Sequence, residues 1–504
     1  MDYLVTLDIG TTSVKTSLFD SSFTVQAFCI DEYELTAPDQ DIIEMNPDQY
    51  WQSACHGIQT VIDQSGIDPL HVKVITVVTQ GETLIAVDYK GKFLRNAIVW
   101  LDNRAVTESN SIKQHFSSEK IYCTTGLPEF TGACPAAKIM WIKNNEPEIF
   151  KQTAKFLLLE DYIIMKLTGK FITERTIMSS TGYFDINHDI LWEDMINFIG
   201  ASANQFPTIL ESGVEAGGIL IDVADDIGLN PGTIISTGAM DQVASAIGAG
   251  NIEEGIVTET TGTALAIAAT TSIPDYTSST RLTVYKHAVP GKYLILPYCS
   301  TAGILLKWFR DEFCQFELNE CKVNNCNFYE KMDEMAASVP PLSKGVNVFP
   351  HFAGMNTPNS DDSTKGAIIG LGLDTQKSYI IRAIMEAVAY MLKENIDLIE
   401  KMGIHASEIR SLGGGAKSGF WCQIKSDVNR KIIKTLNYDE STSLGAALIG
   451  GTAIGIFNGF DEACSIIKYN NVYHPDGISS ETYQRGYDKY LQLYKSLKSL
   501  FDRA

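Results

Sequence analysis

The chain has 504 residues, 45% of them apolar and 20% charged, with a formal net charge of −21 and a pI of about 4.8. That apolar content excludes global disorder, and at roughly 150 residues per domain the length suits two large domains or three small ones. The acidic balance repels phosphate backbones and anionic lipid surfaces, so neither nucleic acid nor membrane is an expected partner.

Residues 3–9 are apolar and β-prone until Gly10 interrupts them, and residues 14–19 resume the pattern. This reads as strand, tight turn, strand, with a third strand over 24–33. A helix is expected over 45–62, with Asn46 as its cap and Pro47 at its first position. The β-branched run 72–79 reads as a buried strand. Residues 83–87 and 93–99, separated by a turn at 88–92, read as a hairpin. A strand followed by a helix recurs over 156–168 and 233–248. Near Gly250 the organisation restarts, and 255–270 is again strand, Thr/Gly turn, strand. A strand is expected over 292–298 and a helix over 302–313. Residues 380–402 form an amphipathic helix stopped by Gly403. A short strand over 410–412 runs into three glycines, and 443–457 is a Gly- and Ala-rich helix suited to close packing. The fold class is α/β with a mixed sheet. The two halves each open on a Gly/Thr turn, but the echo is too short to establish a repeat.

The start of the chain lacks the basic stretch of a signal peptide, and no apolar run reaches the 18 or so residues that span a bilayer. The ten cysteines include no C-x-x-C pair, and the nearest cluster, Cys314, Cys321 and Cys326, lacks zinc-ligand spacing. Buried or incidental thiols in a reducing compartment are expected, so the protein reads as soluble and cytoplasmic. The eight histidines are dispersed and receive no metal or catalytic role.

Asp8-Ile9-Gly10-Thr11-Thr12-Ser13 could build an anion nest from successive N–H groups and hydroxyls, with Asp8 holding a metal through water. On its own it reads equally as a plain hairpin turn. Thr260-Thr261-Gly262-Thr263 repeats the chemistry, and Gly413-Gly414-Gly415-Ala416 comes after a strand and would let a flat ligand lie on bare backbone. Together the three favour a nucleotide clasped between two halves. No P-loop, dinucleotide fingerprint or G-x-S-x-G elbow is present. Asp241, in a glycine-flanked strand-to-helix crossover, suits a general base and equally a helix cap. Gln80-Gly81-Glu82 and Trp100-Leu101-Asp102-Asn103-Arg104 close two strands. Their amide, carboxylate, indole and guanidinium groups suit a polyhydroxylated ligand, or a surface ion pair with a packed Trp.

In this order the motifs resemble those of the FGGY carbohydrate kinases, which include xylulokinase, gluconokinase and glycerol kinase, over essentially the whole chain. Asp8 to Thr12 resembles their first phosphate motif and Thr260 to Thr263 the second. Gly413 to Ala416 resembles the adenosine motif. The segments 238–248 and 443–450 resemble the two connecting segments. The helix from Gly303 through Lys307 and Trp308 is similar to one whose glycine borders the nucleotide. Pro135 to Trp141, with Lys138, resembles one family signature, although Ala133 departs from it. Gly366 to Gly370 with Ala383 and Glu386 resembles the other, where Tyr379 departs.

The resemblance implies two actin-like (ribonuclease H-like) ATPase domains, 1–248 and 249–504, with an interdomain cleft. It implies ATP and Mg2+ as cofactors and Asp241 as base, with Asp8 and Asp241 toward the metal. The nucleotide falls to Gly10, Thr11, Thr12, Ser13, Thr261, Gly262, Thr263, Gly303, Lys307, Gly414, Gly415 and Ala416. Gln80, Gly81, Glu82, Trp100, Asp102, Arg104 and Gln242 fall to a small sugar. Gln80-Gly81-Glu82 resembles the Gln-Arg-Glu of glycerol kinases without its arginine, and the Met-His-Gly of many xylulokinases is absent. Leu158 to Tyr162 and Lys166 to Gly169 resemble the xylulokinase and gluconokinase branch. The expected substrate is a ketopentose such as xylulose, with glycerol, another polyol or an aldonate as alternatives. An actin-like ATP-dependent binding module and a non-catalytic sugar sensor are the alternatives of another class. A homodimer is allowed, and nothing in the sequence fixes the oligomeric state.

Overall fold

The computed structural model describes residues 2–358, 360–438 and 440–501. Two large sheets organise it. The first runs in the order Glu215–Gly218, Ile234–Met240, Val72–Thr79, Tyr3–Ile9, Ser13–Asp20, Val25–Glu32. Tyr3–Ile9 pairs antiparallel with Ser13–Asp20 and parallel with Val72–Thr79. These central strands are covered on both faces, which is why they read as continuous apolar runs: Val5, Leu7, Ile9, Val74, Ile75 and Val77 are all fully buried. The second sheet runs Val284–Lys286, Tyr293–Ile295, Leu265–Thr271, Ile256–Thr261, Glu408–Leu412, Ile432–Leu436, Tyr469–Tyr473. Ile256–Thr261 pairs antiparallel with Leu265–Thr271 and parallel with Glu408–Leu412. The two sheets therefore share one wiring around one kind of turn, a repeat of structure that the short sequence echo could not establish.

The halves meet where helix Asp241–Gly248 crosses helix Ser441–Ala453. A Cβ on Gly248 would lie 1.9 Å from the Ser441 carbonyl oxygen, and one on Gly445 would lie 1.8 Å from that of Ala244. Only glycine permits this backbone-to-backbone contact. Ser245 and Ser441 add a hydroxyl–hydroxyl bond of 2.9 Å across the crossing. The close packing expected of the C-terminal Gly/Ala helix is realised here.

Several element boundaries differ from expectation. The first long helix is Pro47–Ser65, capped by Asn46, and Met45 belongs to the preceding strand Ile42–Met45. The hairpin arm over 93–99 shrinks to Ala97–Ile98. The strand expected over 292–298 splits into Tyr293–Ile295 and Tyr298–Cys299 around Pro297, which has no N–H for the ladder. The Gly/Ala helix stops at Ala453, and Gly455 takes a left-handed φ of 74° two residues later.

Candidate active site

The strands Tyr3–Ile9, Val72–Thr79 and Ile234–Met240 are parallel, and in register Thr79 faces both Ile9 and Met240. Their C-terminal ends thus bring Asp8, Gly10, Gln80 and Asp241 to one edge, where ligands of open α/β sheets bind. The strand before Asp241 is bulged between Ser236 and Ala239, and a bulge re-aims the residues beyond it. Buried polar groups hold that bulge. Glu160 accepts the Gly238 N–H at 2.9 Å. The Met240 N–H bonds the Thr176 hydroxyl at 2.9 Å, which itself donates to Glu174 at 2.6 Å.

Asp241 is the first residue of its helix, and Met240 occupies the cap position without a side-chain cap. Its carboxylate accepts the Gln242 N–H at 2.6 Å. Burial pushes the Asp241 carboxyl up to about 6, with the Glu82 charge adding to the rise and the Gln242 N–H opposing it. Burial, then the nearby Asp241 carboxylate, pushes the Asp8 carboxyl up to about 7 against the pull of Lys15. Among the described residues none donates a hydrogen bond to Asp8.

Three cavities converge here. The first, of about 330 Å3, lies between the halves; Asp8, Gly10, Ser13, Asp241, Gln242, Thr260 and Gly413 line it. Lys15 and Glu440 bridge the halves at its edge, 2.7 Å apart. The second, of about 570 Å3, lies in the C-terminal half; Thr261, Gly262, Thr263, Gly303, Lys307, Gly414 and Gly415 line it beside Tyr329, Asp333 and Trp421. The Gly303 N–H donates to the Gly262 carbonyl at 2.8 Å, joining helix start to turn. Beneath them lies a fully buried ion pair. Lys425 Nζ donates to Glu259 at 2.6 Å and to the Thr261 hydroxyl at 2.9 Å, while Thr261 and Ser411 donate to Glu259.

The third cavity, of about 310 Å3, is lined by Glu82, Thr131, Cys134, Ser180, Tyr285 and Asn356, among others. Glu82 takes a left-handed φ of 62°, uncommon for a residue with a side chain. The buried Lys138 ammonium holds the carbonyls of Glu82 and Val99 at 3.2 and 2.9 Å. Burial raises the Glu82 carboxyl and lowers Lys138 to about 8, each opposed by the other's charge. The Tyr285 hydroxyl, from the C-terminal half, donates to Glu82 at 3.4 Å.

Not every expected residue reaches a cavity. The Gln80 amide is buried beside the Tyr50 hydroxyl. Trp100 donates its indole N–H to the Thr11 hydroxyl at 3.0 Å, so it braces the first turn. Thr11, Thr12 and Ala416 line none of the three cavities; Thr12 instead gives its carbonyl to the Tyr33 N–H. The expectation that Asp102 and Arg104 face a ligand is corrected. Asp102 is wholly buried, accepts the Ile43 N–H at 2.6 Å and takes a forked bond from Arg104. Arg104 also reaches Glu44 at 2.8 Å and stacks over Trp141. These groups satisfy one another, which is the ion-pair alternative the strand end also allowed. Thr131, Ser180, Tyr285 and Asn356 were not anticipated, because they arrive from loops and strands far from the Gly/Thr motifs.

Two family models match: the FGGY carbohydrate kinase N-terminal domain over residues 3–248 and its C-terminal domain over 256–454. A xylulose kinase of Bacillus subtilis (strain 168) is 28% identical over 504 residues, covering 99% of this chain and 98% of its own. A gluconokinase of the same organism is 27% identical, covering 99% and 97%. The crystal structure of Plasmodium falciparum glycerol kinase with ADP superposes with a TM-score of 0.86 at 25% identity, covering 98% of each chain. These matches make the chain an ATP-dependent sugar kinase. The chain belongs to the FGGY family of carbohydrate kinases, with the two-domain actin-like fold of that family. This removes the binding-module alternative. Among the described residues no helix is long and apolar enough to cross a membrane.

Proposed function

We propose that this kinase transfers the γ-phosphoryl group of ATP to a hydroxyl of a ketopentose such as xylulose, in the cytoplasm, with Asp241 as general base. The observation that carries the reading is the place of Asp241: it lines the cavity between the halves, and its carboxyl feels the charge of Glu82 in the neighbouring cavity. A hydroxyl held there would give its proton to Asp241 as phosphoryl transfer proceeds. Residues 1–248 would carry the sugar and the base, and 249–504 the nucleotide. The nucleotide base and ribose fit the cavity against Gly414 and Gly415, with its phosphates toward Thr261 to Thr263 and the Asp8–Ser13 turn.

Asp8 and Asp241 fit Mg2+: two hard oxygen donors, one without a protein hydrogen bond, beside a phosphate-sized space. When bound, the ion neutralises charge on the phosphate oxygens. The rest is positioning by the chain: Lys425 and Glu259 fix the second turn, and Trp100 fixes the first.

The ketopentose reading rests on the third cavity. A Cβ on Gly81 would lie 3.1 Å from Ser180 Oγ and 3.3 Å from Met240 Sδ. A larger residue, such as the arginine of the glycerol kinase pattern, has no room there without displacing them. The Glu82 and Asp241 carboxylates disfavour an anionic aldonate. A coupled ADP assay over pentuloses, hexuloses, polyols and aldonates tests this. The highest kcat/KM is expected on a pentulose, and preferred turnover of glycerol or gluconate would overturn the assignment.

A further inference from the structure

The helix Gln315–Asn324 ends on Asn325, which takes a left-handed φ of 51°. The N–H groups of Asn325 and Cys326 both turn back to the Cys321 carbonyl, the latter at 3.0 Å. A helix end closed in this way brings the side chain four residues before the left-handed position against that of the residue directly after it. In most proteins that contact is hydrophobic; here both positions are cysteine. Cys321 is 3% exposed, whereas Cys326 is exposed. The neighbouring Cys326 thiol, ahead of burial, pushes the Cys321 thiol up to about 11. The next residue, Asn327, accepts the Tyr329 N–H at 3.0 Å and so caps the helix Phe328–Ala337. Asn327 also lines the 570 Å3 cavity, together with Tyr329, Met332 and Asp333 from that helix.

We propose that Cys321 and Cys326 form a dithiol modification site, which low-molecular-weight disulfides convert to an internal disulfide, and that closing it weakens nucleotide binding by displacing Asn327. The exposed Cys326, as thiolate, attacks one sulfur of oxidised glutathione and expels one glutathione thiolate, which takes up a proton. Cys321 then attacks the Cys326 sulfur and expels the second glutathione, which takes the Cys321 proton. Two protein thiols are oxidised and one disulfide of glutathione is reduced to two thiols, so the exchange balances. The buried thiol is the resolving partner and the exposed one the point of entry.

The full-length protein, incubated with oxidised glutathione, should lose two titratable thiols without retaining glutathione, and peptide mapping should link 321 to 326. Cys321→Ser should stop at the mixed disulfide on Cys326, and Cys326→Ser should not react at this site. Oxidation should raise the ATP KM about threefold or more, with the sugar KM unchanged and dithiothreitol restoring it. Neither effect should occur in Cys326→Ser, whose basal activity equals that of the unmodified protein. A stable mixed disulfide on the unsubstituted protein, or no thiol loss, overturns the site. The second half of the proposal rests on the nucleotide reading of that cavity. Disulfide formation with an unchanged ATP KM overturns the coupling alone, and failure of ATP to bind the reduced protein overturns the nucleotide reading instead.

Discussion

The two Gly/Thr turns have the same strand wiring and opposite electrostatics. In the N-terminal half the acid at the strand end, Asp8, faces a cavity, lacks a hydrogen-bond donor among the described residues, and titrates far above the usual carboxylate range. In the C-terminal half the acid below the turn, Glu259, is sealed from solvent and bonded by Lys425, Thr261 and Ser411. One acid is left free for a ligand. The other spends its charge inside the protein, holding the turn in shape. A shared topology thus yields one turn whose acid faces a cavity and one that is braced by its acid.

The largest test of this contrast lies beside the first turn. Asp241→Asn should lower kcat by about 10²–10⁴-fold, with nucleotide binding by calorimetry unchanged. An unchanged rate would remove Asp241 from the chemistry. Next comes the braced turn. Lys425→Met leaves Glu259 buried and unpaired and should cost roughly 3–5 kcal/mol in denaturant unfolding. The double variant Lys425→Met/Glu259→Gln should recover most of that loss; a neutral single variant would erase the distinction between the turns.

Asp8→Asn should do the reverse. It should raise the Mg2+ concentration needed for half-maximal rate by about 10–100-fold. Its thermal midpoint at neutral pH should be no lower than that of the original. The sign comes from the raised carboxyl: the folded state holds this proton up to about 7, so Asp8 favours folding in acid and becomes a cost as pH rises through 7. The smallest effect is a shift of profile. With Asp241 required as carboxylate, kcat should fall as pH drops through about 6. Glu82→Gln removes a negative neighbour and should move that limb to lower pH; a limb that moves upward would contradict the pairing of the two sites.

The free turn was legible in the sequence and the braced one only in outline. Asp8 to Ser13 stands out because β-branched runs flank a glycine and three hydroxyls in one stretch. Gly413 to Gly415 stands out for the same local reason. Glu259 and Lys425 lie 166 residues apart and carry no mutual signal. Polar residues at strand ends were ambiguous by nature. Glu82, with its left-handed backbone, lines a cavity, whereas Gln80 is buried beside Tyr50. Asp102 and Arg104 satisfied each other because Glu44 and Trp141 come close enough to complete their network. Tyr285 escaped notice because the third cavity is walled by both halves, and no local pattern reports what the opposite half supplies.

The crossing at Gly248 and Gly445 has a consequence for how such a chain can change over generations. Each glycine faces a main-chain carbonyl of the other helix, which no substitution can shorten or remove. A mutation elsewhere in an interior can be answered by trimming a neighbouring side chain. Here there is nothing to trim, so no second mutation at the point of contact can rescue the first. Descendants of this sequence can vary the third cavity residue by residue, while the joint that carries Asp241 stays closed to stepwise drift.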